Sequence, residues 1–564
     1  MVDSHVDIIF SEKRGRIMKR KEMTRVSGIC MAVCLLLAGC GNKGVETAAA
    51  TAPAEETVDC DAAYEESGYG WAQEESTVET GGNTEEYSEW TETGYASVYD
   101  KPLSTFSADV DTASYSNLRR LIRSGYGIED LPVGAVRIEE IINYFSYNDL
   151  KEPEKEEPFG VTTQIMPCPW NKEAQLLRVG LRTEKIDYDD FPPSNLIFLL
   201  DVSGSMYAED KLPLLQESFA ILAENLTEKD RVSIVTYAGD DTIVLEGVSG
   251  NRTKEICQAL FDLEAGGSTH GSKGIETAYR LAEEYYIEGG NNRVILATDG
   301  DLNVGLTSES ELEELIAEKK ESGVFLSVLG FGGGNIKDNK METLADKGNG
   351  NYAYIDSLKE ANKVLVEEMS ATLLTVCKDV KFQVEFNPAV VEEYRLIGYE
   401  NRRLAAKDFE DDTKDAGEIG AGYCMTALYE IVTKEKVNGS GVARDQLKYA
   451  DFYEDEKEQR GSGEENGGNY MEYEWLTVSI RYKEPEGTES QLLEYPVDYS
   501  SYVEEPGEDF LFTAAAAEFG LAAMDSEYKG EASLRHVREI LEDLSLDDEY
   551  KAEFAELVKE LDKN

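Results

Sequence analysis

Five oxygen-bearing side chains define the chemistry open to this sequence. Asp201, Ser203 and Ser205 alternate in "NLIFLLDVSGSMYAED", directly after a short apolar run. Thr269 lies in the glycine-rich "EAGGSTHGSKG", and Asp299 closes the run "RVILATD". Two carboxylates and three hydroxyls, with no nitrogen or sulfur among them, suit a hard divalent cation that prefers oxygen ligands. Mg2+ takes near-octahedral geometry, uses few protein carboxylates and leaves its other positions to water or to a partner's group. Two aspartates neutralise such an ion in a formal count. An incoming carboxylate can then displace a water and bind the exposed face of the metal. Helix capping by the two serines is the plainer alternative, but capping leaves Thr269 and Asp299 without a role.

These residues need a scaffold that brings them to one edge. Leu196 to Leu200 is a continuous apolar run of the kind that forms a strand buried on both faces. A polar cluster at its tip is costly unless every oxygen finds a partner. From Asn195 onward, strand patterns at 195–201, 231–238, 242–248, 293–299, 324–331 and 351–355 alternate with helical patterns. The helices are expected at 211–226, 252–263, 273–286, 309–322, 337–347 and 358–373. That alternation predicts an α/β domain with a doubly wound, mostly parallel sheet and helices on both faces. Ligands of such sheets sit at the carboxyl ends of the strands, and "NLIFLLD" and "RVILATD" both end there in an aspartate.

The pattern Asp201-x-Ser203-x-Ser205, followed by Thr269 and Asp299, resembles the metal-ion-dependent adhesion site of von Willebrand factor type A (VWA) domains. The resemblance spans roughly residues 194–375. It implies a Rossmann-like fold, bound Mg2+ (with Mn2+ or Ca2+ able to substitute) and a ligand that donates an acidic group. The stretches "PLSTFSADVDTASYSNLRR", "AVRIEEIINYF", "LATDGDLNVG" and "VEFNPAVVEEYRLIGYENR" extend the likeness over most of 98–564. They resemble bacterial lipoproteins that carry a VWA domain between a distinctive N-terminal segment and a C-terminal domain of unknown function.

The rest of the chain bounds what else is possible. Its 564 residues suggest about three or four domains. A formal charge of −58, from 55 basic and 113 acidic residues, speaks against nucleic-acid binding, which depends on clustered Lys and Arg. Basic residues at 19–21 and the short apolar "GICMAVCLLLAGC" read as a leader, the apolar part too short to span a bilayer. "LAGC" at Leu37–Cys40 resembles the lipobox of bacterial lipoprotein signal peptides. That resemblance implies a lipidated Cys40 and a chain held at the extracytoplasmic face of the cell membrane. The five cysteines after Cys40 are widely spaced, without a C-x-x-C pair, and suggest neither a disulfide framework nor a thiolate zinc site.

The expected organisation is a leader over 1–40, a disordered acidic tether over 41–97 and an N-terminal helical segment over 98–158. Strands follow over 159–193, the VWA domain over 194–375, a β-rich region over 376–505 and helices over 506–564. Asp111 or Thr112 is the expected N-cap of the first helix and Gly125 its stop. The strands before and after the VWA domain are expected to combine into one β-sandwich. Asp240 and Asp301 read as solvated turn acids, His270 as a surface residue, "DVDT" at 109–112 as a helix start and "GFGGGN" at 330–335 as a turn, since no phosphate-loop lysine follows.

The functional expectation is a surface-tethered, non-enzymatic module that binds a protein partner's acidic group through the metal. A metal-dependent hydrolase is the alternative on geometry, because metal catalysis also needs an open coordination position. Against it stand the scarcity of histidine and the absence of an evident nucleophile–base pair. An accessory subunit of a membrane or envelope complex is the third possibility.

Overall fold

The computed structural model describes residues 84–563, apart from 89, 109–110, 155–156, 187–190, 239–240, 267–271, 301–308, 369–373, 415, 435–473 and 486. The leader, Cys40, Asp240, Thr269, His270, Asp301 and the acidic insert at 452–469 lie outside the described residues.

The chain begins with β1 (Ala96–Ser97), β2 (Leu103–Ser107), α1 (Ala113–Arg123), α2 (Ile138–Asn143), β3 (Phe159–Pro167) and β4 (Gln175–Thr183). The next block carries β5 (Ser194–Asp201), α3 (Leu212–Asn225), β6 (Arg231–Tyr237), β7 (Asp241–Ser249), α4 (Thr253–Phe261) and α5 (Ser272–Glu284). It continues with β8 (Asn291–Thr298), α6 (Glu309–Glu321), β9 (Val324–Phe331), α7 (Asp338–Lys347), β10 (Tyr352–Ile355) and α8 (Leu358–Asn362). Last come β11 (Thr375–Phe386), β12 (Val391–Ile397), β13 (Gly417–Gly420), β14 (Cys424–Thr433), β15 (Leu476–Lys483) and β16 (Gln491–Val497), then α9 (Glu508–Ala523), α10 (Leu534–Glu542) and α11 (Glu549–Leu561).

The middle block is the doubly wound sheet that the alternation predicts. Its strand order is β10-β9-β8-β5-β6-β7, parallel throughout except for the edge strand β7. Period-two geometry sends successive side chains of β5 to opposite faces. Leu196, Phe198 and Leu200 pack with α3 and α4 through Leu215, Phe219, Ile256 and Leu260. Ile197 and Leu199 pack with α5, α6 and α7 through Ile275, Tyr279, Ile316 and Met341. From β5 the chain winds outward to β6 and β7, then returns to β8 on the other side. The topological switch point therefore lies between β5 and β8, where ligand crevices of such sheets form.

The flanking strands do form one sandwich, interrupted by the α/β domain between β4 and β11. One sheet runs β1-β12-β14-β4-β3; the other runs β13-β11-β15-β16, with β2 also paired to β11. Leu177, Val179 and Leu181 of β4 and Met425, Ala427, Tyr429 and Ile431 of β14 face Phe382, Val384, Val478 and Ile480 of the opposite sheet. The intervening positions Leu176 and Leu428 point outward into a helical layer built from α1, α2, α9, α10 and α11. Segments 98–158, 159–193, 376–505 and 506–564 are thus one interleaved body rather than four successive ones. Period-two patterns identify the strands but do not say which strand pairs with which.

Two expectations need correction and a third qualification. The described residues of 84–97, expected in the tether, are held to the rest of the chain: Thr84 N–H donates to Gly334 O at 3.0 Å, Glu86 N–H to Ile336 O at 2.8 Å, and Ala96–Ser97 pair with β12. The attachment comes from backbone pairing and from Tyr87 and Trp90 packed on the helical layer, neither of which needs aliphatic periodicity. Thr112 is the N-cap residue of α1, as expected, but makes no side-chain capping hydrogen bond. Asp111 instead accepts the Tyr352 N–H at 3.0 Å and pairs with Arg402 at 3.2 Å, joining β10 to the sandwich. The helix expected over 358–373 is regular only through Asn362 and continues as one π turn over Lys363–Glu367. Gly125, at φ +97°, does end α1.

Candidate metal centre

The β5 and β8 registers carry the two aspartates to one place. Leu200 stands opposite Ala297, so Asp201 and Thr298 are level and Asp299 is one residue beyond. Asp201, Ser203 and Asp299 are all essentially buried, whereas Ser205 and residues 207–210 are exposed around a buried Met206. Asp201 Oδ1 accepts the Ser203 N–H at 2.8 Å, and its Oδ2 accepts the Thr298 hydroxyl at 3.2 Å. The Ser203 and Ser205 hydroxyl oxygens are 2.9 Å apart. Gly204–Tyr207 is a short 3-10 turn, closed by Met206 N–H on Ser203 O at 3.0 Å. Neither serine caps α3, which starts at Leu212. The capping alternative therefore fails, and both hydroxyls stay at the strand tip.

Of the five predicted ligands, Asp201, Ser203, Ser205 and Asp299 come together at the switch point, and Thr269 lies outside the described residues. Gly266 donates its N–H to Val202 O at 2.8 Å, which fastens that residue to the loop after β5.

The electrostatics fit a cation. Burial, followed by the neighbouring charge of Asp299, pushes the Asp201 carboxyl up to about 6, against the hydrogen bonds from Ser203 that favour its ionised form. The Tyr237 hydroxyl is fully buried beside Asp201 and Thr298 without reaching good hydrogen-bond geometry, and burial first, then Asp201, holds its acidity far below that of a free phenol. Two buried carboxylates and a hydroxyl pair, all oxygen donors, match a hard divalent ion. Among the described residues no group of three or more His, Cys, Asp or Glu stands close enough to hold a metal; the described site has two carboxylates and depends on hydroxyls for its other donors.

Three neighbours escape sequence reasoning. Thr298 and Tyr237 look like ordinary strand residues, and only the register shows them facing Asp201. Lys211, in "AEDKLPLL", looks like a solvated charge before a helix. It is buried, with its Nζ 2.7 Å from Asp299 Oδ2. Its stem lies over Gly332, where an added Cβ would come within 2.3 Å of Lys211 Cγ. Gly300, at φ +107°, leaves equally little room: a Cβ would stand 2.3 Å from Asn335 O. The "GFGGGN" turn is thus the wall against which the Asp299 loop rests.

Comparison with known proteins agrees with this architecture. Residues 195–368 match the family described as von Willebrand factor type A domain, 81–178 the family described as von Willebrand factor, and 371–563 the family described as uncharacterized protein YfbK, C-terminal. The uncharacterized protein YfbK of Escherichia coli (strain K12) is 42% identical over 484 residues, covering 84% of this chain and 81% of that one. Inter-alpha-trypsin inhibitor heavy chain H3 of Bos taurus is 26% identical over 194 residues, covering 32% of this chain and 22% of that protein. A solved von Willebrand factor type A protein from Catenulispora acidiphila superposes with a TM-score of 0.39 at 14% identity, covering 75% of this chain and 92% of that one. The extent and identity of the YfbK match, together with both domain matches, show that this chain belongs to the YfbK family of bacterial VWA-domain proteins.

Proposed function

We propose that the chain is a non-enzymatic binding module that holds Mg2+, with Mn2+ or Ca2+ as possible substitutes, and captures a protein partner through a carboxylate. Asp201, Ser203, Ser205, Thr269 and Asp299 are its ligands in this reading. The observation that supports it most is the meeting of two buried aspartates, from the neighbouring parallel strands β5 and β8, with a hydroxyl pair at the switch point. When bound, the ion supplies a Lewis-acidic face to an incoming oxygen. The chain's own residues orient the ligands: Thr298 and the Ser203 N–H fix the Asp201 carboxylate, and the 204–210 loop, exposed apart from the buried Met206, leaves an approach from solvent. The "LAGC" stretch supports attachment to lipid at Cys40 on the extracytoplasmic face of the cell membrane. No described helix is long and apolar enough to cross a membrane.

Calorimetric titration with MgCl2 tests the reading. Wild type should bind one ion, and Asp201→Ala should lose at least about a hundredfold in affinity, the size expected when a metal ligand or its close support is removed, with its circular dichroism unchanged. Equal binding by the two proteins would sink the proposal. Crosslinking on membranes with and without Mg2+ would then identify the partner.

A further inference from the structure

The structure points to a second charge at this centre that the five-ligand description omits. Lys211 is 8% exposed, and its ammonium lies 2.7 Å from an oxygen of a fully buried Asp299 side chain. A lysine in such a place is costly to desolvate unless it is paired. The site pairs it: the stem is seated over Gly332, where any side chain would collide with it, and the carboxylate receives its head. Lys211 also ends the loop that carries Ser203 and Ser205, and its carbonyl accepts the Leu215 N–H at 2.8 Å in the first turn of α3. Backbone and side chain together tie the serine loop of β5 to the aspartate of β8.

We propose that Lys211 is a built-in counter-cation that shares Asp299 with the divalent ion, weakening metal binding and leaving the loaded site with a positive charge for an acidic partner. The proposal rests on the metal-dependent reading above. Two aspartates contribute minus two and a divalent ion plus two. The ammonium adds one more, so the cluster of Asp201, Asp299, the ion and Lys211 carries a net positive charge, set against Glu209 and Asp210 on the exposed loop beside it. That matters for a chain of formal charge −58, which repels an acidic partner at long range. Lys211 restores attraction at the point of contact, at the cost of repulsion between its ammonium and the metal.

The opposite role, a lysine that merely holds Asp299 in place for the metal, predicts the opposite sign, and this makes the proposal testable. MgCl2 titrations of the full chain are compared for wild type, Lys211→Met, Lys211→Gln and Asp201→Ala. Removing the competing cation should tighten Mg2+ binding by about tenfold, roughly what one nearby like charge costs in a partly screened site, in Lys211→Met and also in Lys211→Gln if the first variant folds poorly. In the same variants, the affinity of glutarate for the Mn2+-saturated protein, read from the change in the Mn2+ electron-paramagnetic-resonance line shape, should fall, since the loaded site has lost its excess charge. Unchanged or weaker Mg2+ affinity in folded Lys211 variants, with Asp201→Ala still defective, refutes the counter-cation while the metal site stands. No Mg2+ binding by wild type or by either lysine variant overturns both.

Discussion

The metal rim and the junction between the α/β domain and the helical layer both bury charge, yet they do so differently. At the junction, Arg119 is 1% exposed and fans across Asp356 at 2.5 Å, Glu360 at 2.6 Å and Glu553 at 3.3 Å. Arg137 likewise reaches Glu140, Asp338 and Glu342, each at 2.8 Å. Guanidinium forks suit such multi-carboxylate contacts and saturate them. The pairs join α1 and α2 to α7, α8 and α11, so their work is to hold bodies together. At the rim, the donors are carboxylates and hydroxyls on strand tips, and part of the arrangement faces solvent. The junction saturates its carboxylates with guanidinium forks. The rim pairs Asp299 with a single ammonium, at 2.7 Å, and gives Asp201 the neutral Ser203 N–H and Thr298 hydroxyl as hydrogen-bond donors.

That contrast is open to attack, beginning at the junction. Arg119→Ala strands Asp356 and Glu360 in a buried setting and should lower the unfolding free energy by about 3–5 kcal/mol, read by urea denaturation. A loss below about 1 kcal/mol would deny the junction its structural role.

The next largest effect concerns Glu139, 2% exposed on α2. Burial, then the charges of Glu400 and Glu140, lift its carboxyl to about 7. An unfolded glutamate releases its proton near 4.3, so the fold holds a proton that the unfolded chain has lost across about pH 4 to 7. The stability linked to that proton is fully present below the unfolded value and is lost as pH rises through the folded one. Glu139→Gln should therefore match wild type near pH 4 and exceed it at pH 8 by about 3 kcal/mol. Parallel pH profiles of the two proteins would contradict the assignment.

Gly300→Ala touches the rim. Its left-handed φ and the Asn335 carbonyl 2.3 Å from the new Cβ should cost about 1–3 kcal/mol and displace the neighbouring Asp299, so thermal stability and Mg2+ affinity fall together. Smallest in stability, and most diagnostic, is Asp201→Ala: the loss should stay under about 1 kcal/mol although ion binding disappears. A large destabilisation would mean that the rim, too, is structural.

Much of this architecture was legible beforehand because its signals are local. Apolar runs of strand length between helical periods located β5 to β10 to within a few residues, since a strand buried on both faces leaves little room for polar substitutions. The Asp201 and Asp299 positions followed from those strand ends. What escaped was non-local. Lys211 owes its role to Gly332, on the far side of β9. Asp111 is satisfied by a backbone 241 residues away, and no spacing rule sees that. The sandwich was legible as strands, but its interleaving of β4 with β14 across the inserted domain depends on pairing partners that hydrophobic patterns do not specify.

The segment at Thr84–Glu86 has a mechanical consequence. It runs parallel to the 334–338 loop and is fastened to it by backbone bonds in both directions, the Asp338 N–H returning to Glu86 O at 3.1 Å. Glu85 is clamped by Arg120 at 3.0 Å and by the Gly334 N–H at 2.7 Å. That same loop is the surface on which Gly300 rests. A pull on the chain upstream of Thr84 is therefore delivered first to the wall behind Asp299, before it loads either sheet of the sandwich.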